Sequence, residues 1–127
     1  MTKSPPAYEY HLSITRKFDE RLQGFKTVFL LETKRLFASF RYELAVQETI
    51  EDKTIRFAIT GLKPPALSIP SSGPARFRRE FSNLNGVYKV VIEGLDHSVN
   101  SFSIRISQKG LHLVKADPHP FTELLIS

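Results

Sequence analysis

Leu84-Asn85-Gly86-Val87-Tyr88, running straight into Lys89-Val90-Val91-Ile92, is the stretch whose reading decides the fold. A glycine two residues ahead of a tyrosine supplies the unusual torsions of a turn. The Val and Ile residues that follow are stiff at the first side-chain torsion and favour extended chain. The stretch is therefore a turn feeding a strand, and strands of the same kind lie on both sides of it.

Downstream, Gly94 to Ser101 turns, and Phe102, Ile104 and Ile106 then alternate with Ser103 and Arg105. A last strand runs from Leu111 to Lys115, and Asp117-Pro118-His119-Pro120 stops it. The apolar end, Phe121 to Ser127, must dock or fray, so residues 117–127 and the proline-bearing residues 1–7 are expected to be the loosely ordered tails of one domain spanning 1–127. Upstream, Phe77 and Phe81 flank Arg79 on a short strand. Between Gly61 and Pro74, four prolines and three serines form the one long loop expected, since such residues cannot sustain a ladder.

Residues 36–47 decide between helix and sheet. Leu36, Ala38, Phe40, Tyr42, Leu44 and Val46 are apolar at spacing two, so the period predicts one long strand with a buried face. Ile55, Phe57 and Ile59 alternate after the charged link at Glu51-Asp52, which predicts an antiparallel hairpin. Nearer the N-terminus, Tyr8, Tyr10, Leu12 and Ile14 alternate. After the charged link Lys17 to Gln23, Phe25 to Leu31 is apolar enough to be covered on both faces. Seven or eight short strands predict an all-β chain, an antiparallel two-sheet sandwich, with an OB-like barrel as the alternative.

The 127 residues suffice for one core without staples, and the chain has no cysteine, which removes disulfides and thiolate chemistry. No signal-like or membrane-length apolar segment is present, so a cytoplasmic location is expected. Eighteen Lys and Arg against thirteen Asp and Glu give +5. Neither half of the chain is a basic tail, so the charge is read first as a solvated surface.

From Ala75 to Ser107 the order strand, Leu-x-Gly-x-Tyr, strand, turn, strand resembles the E, F and G strands of immunoglobulin-like and fibronectin type III domains. In those sandwiches a corner tyrosine bonds its hydroxyl to backbone a few residues upstream. Tyr88 matches that tyrosine, and Val90 stands where antibody domains place a bridging cysteine. The resemblance implies a domain built for contact and carries no catalytic residue.

No catalytic, cofactor-binding or metal-binding residue is nominated. His11, His97, His112 and His119 lack metal-ligand spacing, and adjacent residues such as Asp96-His97-Ser98 point apart rather than converging as a triad. Gly-x-Ser-x-Gly, Gly-x-Gly-x-x-Gly and P-loop patterns are missing. Arg76-Phe77-Arg78-Arg79-Glu80-Phe81 is the sharpest basic cluster, but alternation sends Phe77, Arg79 and Phe81 inward, where an Arg needs a carboxylate or backbone partner. The expectation is a non-enzymatic protein-interaction or ligand-contact module without cofactor or membrane. It would work through the 62–74 loop or a sheet edge, on a partner protein or its own copy, and single-stranded nucleic acid is the alternative ligand.

Overall fold

The computed structural model describes residues 9–37, 42–64 and 73–127. Nine strands form: β1 (Tyr10–Asp19), β2 (Gly24–Phe37), β3 (Glu43–Glu51), β4 (Thr54–Lys63), β5 (Gly73–Ser82), β6 (Gly86–Glu93), β7 (Val99–Ser107), β8 (Gly110–Lys115) and β9 (Thr122–Ile126). They make one sheet in the order β8-β7-β6-β4-β3-β5-β2-β1-β9. The sheet curls into a nearly closed barrel. The described structure is all-β, as the alternation predicts.

The sandwich expectation is corrected. Alternation reports one buried face per strand, and a curled single sheet satisfies that as well as two facing sheets do. Pairing is what differs. β4 pairs parallel with β6, and β1 pairs parallel with β9, which extends the antiparallel hairpins into one continuous surface. Nine strands also exceed the five of an OB barrel.

The inner phase of almost every strand fills the core, with Leu12 and Ile14, Phe29 and Leu31, Ile55 and Phe57, Val90 and Ile92, and Phe102 and Ile104 buried. On β2 the opposite phase is covered too, since Val28 is buried. The wall is thin between β3 and β5, which among the described residues share the single residue pair Glu43 and Arg76. Beneath it, Phe29 lies 5.7 Å from Phe57 and 5.5 Å from Phe81, and Phe57 lies 5.4 Å from Phe77, ring centre to ring centre. Each such pair contributes roughly 0.5–1.5 kcal/mol beyond its burial, so packing replaces the missing ladder there.

Two strand boundaries differ from the sequence reading. The alternating run 36–47 belongs to two strands, because Leu36 closes β2 against Pro74 and Glu43 opens β3 against Lys63, with β5 between them in the sheet. Its middle, 38–41, lies outside the described residues, and a period of two does not register where one strand stops and the next begins. Likewise Lys17 to Asp19 belong to β1, opposite Lys26 to Gly24. Asp19 Oδ1 accepts the N–H groups of Arg21 and Leu22 at 2.9 and 3.3 Å, which confines the turn to the residues after it.

The stretch that set the fold class makes its local bond. Tyr88 is buried, and its hydroxyl accepts the Asn85 N–H at 3.2 Å while Lys53 Nζ donates to it at 3.2 Å. Gly86 sits at φ 118°, and an added Cβ there would stand 3.2 Å from Lys53 Nζ. Lys53 also donates to the Asn85 carbonyl at 2.6 Å, so the β3–β4 turn is pinned to the start of β6.

The chain after Asp117 docks as β9. Asn100, fully buried at the start of β7, accepts the N–H groups of Phe121 and Thr122 with Oδ1, both at 2.9 Å, and donates from Nδ2 to the His119 carbonyl at 3.3 Å. Toward the other end Arg16 of β1 donates to the carbonyls of Ser107 and Gln108 in the β7–β8 turn. The wall is thus drawn together at both ends of β8, which itself lies close to β1 and β9.

Tyr88→Phe, which removes the acceptor for Asn85 and Lys53, is expected to lower stability by about 1 kcal/mol and the melting midpoint by about 3–5 °C; an unchanged midpoint refutes the bond's role. Asn100→Ala leaves two buried N–H groups unpaired and should cost about 3 kcal/mol in urea unfolding.

Candidate functional site

The basic cluster on β5 is occupied. Arg76 Nε is 2.9 Å from Glu32, Arg78 is 2.6 Å from Glu80, and Arg79 Nε is 2.7 Å from Glu48. Alternation predicts an inward Arg79, but the side chain is exposed, and its guanidinium meets the Glu48 carboxylate across the thin β3–β5 seam at the surface. Its guanidinium also lies 4.4 Å from the Phe81 ring centre. Phe77 and Phe81 belong to the core, so these rings do not present faces to a base.

The uncompensated positive charge lies elsewhere. Lys89 of β6 stands opposite Ser103 of β7, which stands opposite Lys115 of β8. In the next row Val87 faces Arg105, and Arg105 faces His112. These residues share the outer phase, because the inner one carries Tyr88, Phe102, Ile104 and Leu111. Lys89, Arg105, Lys115 and Lys109 of the β7–β8 turn make no ion pair among the described residues, whereas Arg56, Arg76, Arg78 and Arg79 all do. Strand register assembles this patch from single basic residues that look unremarkable along the chain. The only signal available beforehand is that each falls on the polar phase of its strand.

β8 adds an edge to that face. It is hydrogen-bonded to β7 on one side, and among the described residues it has no ladder on the other, where it lies near β1 and β9. A bulge shifts its register between Ser103 and Ile104, and Leu113 and Val114 are 48 % and 52 % exposed. A bulge and a lysine on an edge also discourage indiscriminate pairing. That role does not account for Lys89 and Arg105, which stand on strands inside the edge.

Asp96, His97 and Ser98 form a turn rather than a catalytic relay. Asp96 Oδ1 accepts the Ser98 N–H at 3.0 Å and Oδ2 accepts the Ser98 hydroxyl at 2.8 Å, while the His97 ring turns 3.4 Å from Glu93. His11 lies 3.5 Å from Glu123, and His119 sits in the β8–β9 connection. Among the described residues no three His, Asp or Glu side chains gather as metal ligands. Of the 62–74 loop, Leu62 and Lys63 lie in β4 and Gly73 and Pro74 in β5, and residues 65–72 lie outside the described residues.

The charges that order this end of the barrel predict an acid response. Burial works against the charge of Asp117, but the N–H groups of His119 and Ser101, at 2.9 and 2.8 Å, outweigh it and hold the carboxyl below its ordinary range. A carboxyl depressed on folding stabilises the fold above its unfolded value, and that contribution is lost as pH falls through the folded value. The thermal midpoint should therefore drop below pH about 4, and Asp117→Asn should make that drop shallower in a series of melts; an unaltered slope contradicts the assignment. No protein-family model, no curated protein and no solved structure matches this chain.

Proposed function

We propose that this chain is a non-enzymatic interaction domain that takes an extended, acidic segment of a partner protein along the free edge of β8 and the adjoining outer face of β6 and β7. The observation that carries the reading is the coincidence of three things on one hairpin: an unpaired edge, half-exposed Leu113 and Val114, and the unpaired cations Lys89, Arg105, Lys109 and Lys115.

Each supplies a different part of recognition. An edge strand offers unpaired backbone groups to an incoming strand, and main-chain hydrogen bonds then give affinity irrespective of sequence. Leu113 and Val114 supply apolar area to be removed from water. The cations select carboxylates and speed encounter with them.

The same charges disfavour a second copy as the partner, since edge-to-edge pairing would bring Lys115 and Lys109 of one copy toward those of the other. They suit nucleic acid less well than peptide. Single-stranded nucleic acid is bound by aromatic stacking platforms as well as cations, and the outer-phase positions of these three strands carry no ring except the His112 imidazole.

A synthetic peptide alternating Glu and Val, titrated at low salt and followed by amide chemical shifts, should perturb β8 and its β7 neighbours. The combined variant K89E/R105E/K115E should weaken binding by at least about tenfold. Equal binding of a Lys/Val peptide, or tighter binding of oligothymidylate, overturns the proposal.

A further inference from the structure

A cavity of about 440 Å³ opens at the end of the barrel where β1 begins and where β2 and β4 finish. Leu44 and Ile59 form its buried apolar floor, and Leu62 and Leu95 stand half-exposed at its rim. The volume lies within the range of small-molecule sites, and barrel mouths are a recurrent place for them.

Tyr10 lines this cavity while being only 7 % exposed. Its ring is fixed edge-on against Phe121, with centres 6.2 Å apart. Its hydroxyl makes no hydrogen bond among the described residues. The hydroxyl opens into the cavity with its hydrogen-bonding capacity unused within the described protein, so a ligand atom there would meet it directly.

The charge around it is negative. Among the described residues, Glu9 and Asp96 line the same mouth against the positive charge of Arg35. We infer that the mouth binds a small organic ammonium ion with an apolar body, its N–H donating to the Tyr10 hydroxyl oxygen and its apolar part lying on Leu44 and Ile59. Burial, and then the nearness of Glu9 and Asp96, push the Tyr10 phenol upward and keep it protonated. Burial would disfavour a charge of either sign, whereas the two carboxylates, the smaller causes, favour a cation at the same point. Asp96 is held ionised by its bonds to Ser98, so its charge persists at neutral pH. The site does not depend on the strand-addition face.

Phenethylammonium, phenethyl alcohol and hydrocinnamate share one ring and differ in charge, so titrating each while following amide shifts tests the inference. Saturable shifts at Gly61, Leu62, Leu95 and Asp96 are expected, with the ammonium binding tightest and the carboxylate weakest. Glu9→Gln, at an exposed position, should reduce the preference for ammonium over alcohol by about fivefold, and Tyr10→Phe should weaken ammonium binding by a similar factor with the melting midpoint retained. Hydrocinnamate binding as tightly as the ammonium, shifts confined to other surfaces, or no saturation overturns the site.

Discussion

The buried Asn100 side chain is the interaction on which the rest of the architecture depends. A curled sheet has two ends, and open ends expose both backbone groups and core. Here one amide reaches from the start of β7 to three backbone groups around the start of β9, bypassing β8. Asp117 reinforces the junction by accepting N–H groups from Ser101 and His119, and Arg16 holds β1 to the β7–β8 turn. Side chains thus close the wall where no ladder does, and a buried, fully bonded amide is an economical way to specify one arrangement.

That closure explains why β8 is available. With β7 tied to the β1–β9 pair, β8 stays attached by one edge, and its residues from His112 to Lys115 are exposed. The positive charge that β5 neutralises internally is left unpaired on the outer phase of β6, β7 and β8. Burial and charge therefore point to the same hairpin as the working surface. The mouth has a different origin: Thr33 leaves the β2–β5 ladder at a bulge and accepts the Ala75 N–H with its hydroxyl, so the rim is built from side chains and turns rather than regular pairing.

Much of this was legible from residue order. The alternation of Ile55, Phe57 and Ile59 and the turn before Tyr88 are local facts, and local spacing carries them, whereas the inward phase expected of Arg79 gives way to an exposed ion pair with Glu48. What remained hidden depends on who pairs with whom. The run from Leu36 to Val46 alternates in sequence although it spans two strands, and the parallel pairings of β4 with β6 and β1 with β9 have no sequence signature. The Lys89, Arg105 and Lys115 patch exists only in register. Asn100 gave no signal at all, because a lone polar residue ahead of an apolar alternation resembles any turn residue.

Native-state hydrogen exchange resolved by residue tests the closure most directly. The account predicts that the Phe121 and Thr122 amides, bonded to Asn100, exchange as slowly as the core amides of β6, while the amides on the free edge of β8 exchange rapidly. Fast exchange at Phe121 and Thr122, or slow exchange along both edges of β8, would contradict it.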